Sequence, residues 1–264
     1  MQTTTIGDVV AWLDSRFCPE LQEDYDNAGF LLGDCSLPYR GAMVALDVTP
    51  TVIDEAINNN VNLIVSHHPM IFRGLKRITF DDELGCMVFT LLRKGISVYA
   101  AHTNLDNLPW GVNGALAEKL QLCKCHILRP LSADPTVGAG MIGQLQAETP
   151  VETFFEKVKQ TLHLPYLRTN WLGEKRTVKR VAICGGSGAF LIDDALQAKA
   201  DVLLTADLKY HDFQVPNKKM LIADIGHYES EQFAKEIICD TISGKFSNFA
   251  CLISQCQQSL VKYI

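Results

Sequence analysis

Val61-Asn62-Leu63-Ile64-Val65-Ser66-His67-His68-Pro69-Met70-Ile71-Phe72 is an apolar run that ends in two adjacent histidines. Its short, partly β-branched segment 63–65 reads as a strand buried on both faces, the pattern of a parallel sheet. His67 and His68 then stand at its carboxyl end, where the loops of an open α/β sheet form the ligand crevice. Pro69 lacks the N–H a ladder needs and stops the strand. Two histidines at a strand end also suit a solvated edge, so the rest of the chain has to decide between edge and site.

Immediately upstream, residues 42–48 form a strand candidate, and Thr49-Pro50 opens a helix with a capping hydroxyl followed by proline at the first helical position. Downstream, Leu84, Met87, Val88, Leu91 and Leu92 recur at helical spacing until Gly95 ends the helix. Residues 96–101 make a further buried strand that delivers His102-Thr103-Asn104-Leu105-Asp106 to its exit. Strand, helix, strand, helix, strand is a parallel-sheet pattern. Before it lie a helix over 5–17 and the turn Asp26-Asn27-Ala28-Gly29, read as a loop into a strand.

The middle of the chain, 130–171, predicts a glycine-containing strand region (137–145), a helix opened by Thr149, Pro150 and Glu152 at capping-box spacing, and a strand over 167–172. A second α/β lobe follows: strand 178–184, turn Gly185-Gly186-Ser187-Gly188, helix 189–199, and strands at 201–205 and 219–224. A helix over 228–242 and a strand over 248–254 complete it. The glycine turn could present N–H groups to an anion, although a tight strand-to-helix turn explains it without a ligand. The expected organisation is an N-terminal lobe at 1–128, a connecting strand-helix-strand segment at 129–175 and a C-terminal lobe at 176–264, packed as one continuous α/β body sharing a metal site.

The lobes can be laid over one another. Ile53-Asp54-Glu55-Ala56 matches Ile192-Asp193-Asp194-Ala195, and the strand before His67 matches Ala200-Asp201-Val202-Leu203-Leu204-Thr205. Residues 101–106 fall on Gly226-His227-Tyr228-Glu229-Ser230-Glu231, so a histidine followed four positions later by a carboxylate stands at the same strand exit twice.

A chain of 264 residues with 47% hydrophobic and 20% charged residues is globular in composition. It holds no apolar run near the roughly 20 residues that cross a bilayer. Its amino terminus does not read as a secretory signal, which predicts a cytoplasmic protein without membrane contact. The net charge of -6 argues against general nucleic-acid binding, with Lys175, Arg176, Lys179 and Arg180 read as a solvated strand start. Nine cysteines without a paired Cys-x-x-Cys pattern read as reduced thiols, and Cys123-Lys124-Cys125-His126 lacks the second ligand pair of a zinc site.

The strand exits together offer His67, His68, Asp106, His227 and Glu231, with His102 nearby. That exceeds the four ligands of one tetrahedral ion and suits two ions about 3.5–4 Å apart. Imidazole with carboxylate accepts zinc, manganese, iron, cobalt or nickel. Two such ions activate water and polarise a carbonyl, ring carbon or phosphoryl group, which favours hydrolysis. Asp207-Leu208-Lys209-Tyr210-His211-Asp212 adds a lysine able to steady a phosphate and, in His211, a group able to move protons.

The blocks Asp26-Asn27-Ala28-Gly29, Ser66-His67-His68-Pro69-Met70-Ile71-Phe72, Ala101-His102-Thr103-Asn104-Leu105-Asp106, Ala206-Asp207-Leu208-Lys209-Tyr210-His211-Asp212 and Gly226-His227-Tyr228-Glu229-Ser230-Glu231 resemble, in order, those of the NIF-three-like family, whose members are often labelled GTP cyclohydrolase 1 type 2 homologues. The resemblance implies two pseudo-symmetric α/β lobes with mostly parallel sheets, assembled as a toroidal homohexamer. It also implies a dinuclear metal centre on His67, His68, Asp106, His227 and Glu231. The implied activity is that of a metal-dependent hydrolase, opening a cyclic amidine C–N bond as in GTP or cleaving a phosphoester, on a small-molecule substrate such as a nucleotide. Asp106 or Glu231 would bridge the ions and His102 or His211 would carry protons. The alternative is a non-enzymatic metal-binding or regulatory protein whose ring presents a partner surface.

Overall fold

The computed structural model describes residues 3–131, 134–214, 219–256, 259 and 261. In chain order the elements are α1 (Ile6–Phe17), β1 (Gly29–Leu32), β2 (Gly41–Ala45), α2 (Pro50–Asn58), β3 (Leu63–Ser66), α3 (Glu83–Lys94), β4 (Ser97–Ala100), α4 (Thr103–Asp106) and α5 (Val112–Lys119). There follow β5 (Cys123–Leu131), β6 (Asp134–Pro150), α6 (Val151–Leu162), β7 (Arg168–Thr169), β8 (Thr177–Ser187), α7 (Ile192–Gln197), β9 (Val202–Ala206), β10 (Leu221–Asp224), α8 (His227–Glu231), α9 (Ala234–Lys245) and β11 (Ala250–Ile253). No helix among the described residues is long and apolar enough to cross a membrane.

Local chemistry sets these boundaries. Thr5 and Asp8 form a reciprocal capping box at the start of α1. The Thr49 hydroxyl accepts from the Val52 N–H with Pro50 at the first helical position, and Gly95 closes α3 in the left-handed region at φ 62°. The capping box expected around Thr149 does not form. Pro150 occupies the cap of α6 without a side-chain bond, and the Thr149 hydroxyl donates to the Ala147 carbonyl instead. α6 is held by its apolar face, Val151, Phe154, Phe155, Val158 and Leu162. Each such side chain contributes about 1.5–3 kcal/mol by burial.

The first sheet has the order β1-β4-β3-β2-β11, in which β2, β3, β4 and β11 run parallel and β1 is antiparallel to β4. The second has the order β5-β6-β8-β9-β10-β7. Its parallel trio β8, β9, β10 is flanked by antiparallel β7 on one side and the β5–β6 hairpin on the other. The sequence β1-β4-β3-β2 in one sheet thus recurs as β7-β10-β9-β8 in the other, which is the pseudo-symmetry of the repeat. β3 is buried at every position, as its apolar reading requires.

The chain forms two compact units, Met1–Leu105 with Ala234–Gln258, and Asp106–Phe233 with Ser259–Ile264. This partition differs from boundaries at 128 and 175. Segment 129–175 is no separate connector, because β6 pairs directly with β8. Residues 234–258 return to the first unit because β11 pairs with β2, with Ala250 opposite Gly41. The helix expected over 228–242 is broken at Gln232-Phe233 into α8 and α9, which fall in different units.

Candidate metal centre

In the first unit the two histidines continue the ladder beyond β3. The His67 N–H donates to the Ala45 carbonyl at 3.1 Å and the His68 N–H to the Leu46 carbonyl at 2.8 Å, so both side chains leave a fixed backbone. His67 is fully buried. His102 follows β4, which lies beside β3. Its backbone N–H is held at 2.9 Å by Asn104 Oδ1, a buried side chain that also donates to the Phe17 carbonyl. One ligand atom from each of His67, His68 and His102 lies within 4.8 Å of the others.

Each of these rings is tied through Nδ1. His67 bonds the Ala101 carbonyl at 2.7 Å, His68 bonds Asp47 Oδ1 at 2.7 Å, and His102 bonds Asp26 Oδ1 at 2.7 Å. A carbonyl or carboxylate oxygen can only accept, so Nδ1 carries a proton and Nε2 is the nitrogen left to face an ion. Histidines that ligate metals are held in this way, with the outer partner fixing tautomer and ring orientation.

Asp26 is the hub of the turn before β1. Its carboxylate also accepts from the Thr103 hydroxyl and backbone N–H. Its side chain is fully buried. Burial raises its pKa, but the bonds from His102 and Thr103 outweigh that and hold the carboxyl at about 2. The Asp26-Asn27 turn is therefore more than the loop into a strand that its residues suggest. Asn27 also donates to the Ile71 carbonyl, tying the exit loop after the histidines to the same turn.

In the second unit, His227 opens α8 after Gly226, whose φ of 77° and whose contact with Glu229 leave no room for a Cβ. Asp224 anchors the turn, accepting from the Gly226 N–H at 3.1 Å and pairing with Arg168. His227 Nδ1 bonds Asp207 Oδ2 at 2.8 Å, and Nε2 lies 2.9 Å from Glu231 Oε2, one turn along the same helix. The Glu231 hydrogen bond, only partly opposed by burial and reinforced by Asp207, raises the His227 pKa to about 9. Asp207 sits at φ 56°, a left-handed conformation that aspartate tolerates and that gathers at functional sites.

Glu231 is buried against the glycine stretch. A Cβ on Gly186 would stand 2.0 Å from Glu231 Oε1. Two N–H groups of that stretch are committed, Gly185 to Asn113 Oδ1 at 2.9 Å and Gly186 to Ser230 Oγ at 3.0 Å. Gly185, Gly186 and Ser187 end β8 instead of forming the turn expected there, and Gly186 leaves the space that the Glu231 carboxylate fills. Asp106 ends α4, its carbonyl accepting from Asn113 at 3.1 Å. Both Asp106 and Glu231, after burial, push the Cys184 thiol upward, so the two carboxylates bear on one place.

His211 lies exposed in a short turn with its ring 5.3 Å from that of Tyr210, and belongs to none of the metal-holding groups among the described residues. Lys209 caps that turn through its backbone N–H to Asp212. Cys123, Cys125 and His126 are exposed on β5 and join no such group either. The residues that sequence reasoning passed over are Asp26, Asp47 and Asp207. Asp207 had a signal, since the repeat places it opposite His68.

A family model described as Duf34/NIF3 (NGG1p interacting factor 3) matches residues 4–259. A Clostridium acetobutylicum protein named GTP cyclohydrolase 1 type 2 homolog is 32% identical over 247 residues, 90% of this chain and 91% of that one. A Clostridium perfringens protein of the same name is 34% identical over 229 residues, 86% of each chain. The solved structure of a Staphylococcus aureus hypothetical protein superposes over the whole of both chains with a TM-score of 0.89 at 28% identity. That of a Bacillus cereus protein related to NIF3 shares the fold at a TM-score of 0.90, 24% identity and full coverage of both chains. The ordered strand-exit blocks, the doubled sheet topology and these matches agree, and the chain belongs to the Duf34/NIF3 family.

Proposed function

We propose that the chain is a dinuclear metal protein acting as a metal-dependent hydrolase, with His67, His68, Asp106, His227 and Glu231 as ligands. The observation that carries this reading is that His67 and His68 each commit Nδ1 to an oxygen acceptor, which leaves Nε2 as the nitrogen for an ion, while His227, held by Asp207 at Nδ1, turns Nε2 towards the Glu231 carboxylate. The donor set of imidazoles and carboxylates suits zinc, iron, manganese, cobalt or nickel. Bound ions would supply Lewis acidity and an activated water.

The chain's own residues do the rest. Asp106 and Glu231 would hold the ions through their carboxylates, either of them having two oxygens to offer. His102, oriented by buried Asp26, is the proton carrier, and exposed His211 is a second candidate. The relatives' name makes a cyclic amidine C–N bond, as in GTP, the first substrate to try, with phosphoesters next. Elemental analysis of the purified protein should find two ions per chain, and His68→Ala should lose them while keeping its circular dichroism. Metal-loaded protein that releases no product from GTP, phosphoesters or cyclic amides would end the hydrolase half of the reading and leave the metal half standing.

One observation favours the regulatory alternative. The loop after the histidines exposes Phe72, Leu75, Ile78 and Phe80, with Phe80 62% accessible. Apolar exposure of this kind suits contacts between copies in a ring-shaped homohexamer, which light scattering on the purified chain would test.

A further inference from the structure

Away from the histidines, the first unit holds a second cluster of reactive groups, Cys239, Cys251 and Tyr39. Cys239 lies on α9 and Cys251 on β11, an edge strand of the first sheet. The Cys239 thiol donates to the Cys251 carbonyl oxygen at 3.6 Å and lies 4.0 Å from Ser243 Oγ. Both thiols are half-buried. Tyr39 is 3% exposed, packed between Phe246 and Phe249, and its hydroxyl has no hydrogen-bond partner among the described residues. A buried hydroxyl left unpaired is costly, and this one is close enough to both thiols to feel their charge.

We propose that Cys239 and Cys251 are an oxidation site, a reversible dithiol–disulfide pair in which Cys239 attacks hydrogen peroxide or an organic hydroperoxide and Cys251 resolves the product. The Cys239 thiolate attacks one peroxide oxygen, the O–O bond breaks, and the other oxygen leaves as hydroxide or alkoxide and takes up a proton. Cys239 is then a sulfenic acid, whose new hydroxyl oxygen offers the Tyr39 O–H an acceptor. The Cys251 sulfur next attacks the Cys239 sulfur, forming the S–S bond as the S–O bond breaks, and the hydroxide departs with the Cys251 proton as water. Two electrons pass from the sulfurs to the peroxide, and the product fastens β11 to α9.

The electrostatics agree with this division of roles. The neighbouring Cys251 thiol, against burial, lowers the Cys239 thiol to about 7, while Cys251 is pushed far above the thiol range by Cys239 and by burial. At pH 7 a thiol of that acidity is about half ionised, against about 3% for an ordinary one near 8.5. The weaker nucleophilicity of the more acidic thiol returns about fivefold, which leaves a net gain of about threefold.

The test is mass mapping of the full-length, reduced protein after stoichiometric hydrogen peroxide, with remaining thiols alkylated. The expected product is a peptide pair linking Cys239 to Cys251, reversed by dithiothreitol. Cys251→Ala should halt at a Cys239 sulfenic acid trapped by dimedone, and should slow alkylation of Cys239 about threefold at pH 7. A first disulfide that uses another cysteine, or over-oxidation of Cys239 in the wild-type chain without the link, overturns the proposal. So does unchanged Cys239 alkylation in folded Cys251→Ala.

Discussion

The strand exits of the first sheet carry three imidazoles and the Asp106 carboxylate, those of the second one imidazole and the Glu231 carboxylate, although the strands beneath run in the same order. In the first, His67 and His68 continue β3 and His102 follows β4. In the second, Ala206 and Asp207 stand where the paired histidines would be, and Asp207 has become the outer partner of His227. The helical turn after the third strand is kept in both, as α4 ending in Asp106 and α8 ending in Glu231. One topology therefore carries two donor sets, three imidazoles beside a carboxylate at one set of exits and a single imidazole beside a carboxylate at the other. Chemistry resides in the exit residues rather than in the sheet.

The largest expected effect comes from removing a donor from either lobe. Glu231→Ala and His68→Ala should each lower metal affinity by more than about 100-fold, since loss of a direct ligand should exceed the 10–100-fold cost of losing an outer partner. Competition against a chromophoric chelator measures this. If Glu231→Ala still bound metal at wild-type strength, Glu231 would be no ligand and the remaining donors would hold the ions without it.

Next in size are the outer partners, one from each lobe. Asp47→Asn and Asp207→Asn should each weaken metal binding about 10–100-fold by loosening His68 and His227, with little change in thermal midpoint. An effect in only one of them, by the same chelator assay, would show which lobe holds the tighter ion.

Asp26→Asn addresses stability. Its folded carboxyl sits at about 2 against an unfolded value near 4, so the stabilisation is present above about pH 4 and is lost as pH falls through about 2. Denaturant unfolding should show a deficit of about 2 kcal/mol at pH 7 that fades between pH 4 and 2. A deficit of equal size at every pH would mean the His102 and Thr103 bonds do not depend on the charge. Smallest is Gly186→Ala, which forces φ 61° on a residue with a Cβ and displaces Glu231. It should cost about 1 kcal/mol, a midpoint shift of about 2–4 °C by calorimetry.

The five metal candidates could be named from the sequence because strand ends and a four-residue helical spacing are local patterns. Thr49 and Gly95 likewise announced the bounds of their helices through bonds made within a turn. The Thr149 cap failed because a capping sequence competes with the hydroxyl's own bond to Ala147. The break at Gln232-Phe233 was invisible because both halves read as helix, and only the separate packing of α8 and α9 parts them.

The sequence by itself determined which residues reach a strand exit, since burial of an apolar run and the period of a helix depend only on neighbours along the chain. Tertiary structure decided what those residues are once they arrive. Asp26 lies 76 positions from His102 and Asp207 20 from His227, and such bonds follow from the pairing of strands rather than from spacing. The opening pair shows the division. That His67 and His68 end a buried strand is written in their own segment, but that each presents Nε2 is fixed by Ala101 and Asp47, oxygen acceptors delivered by the neighbouring strands.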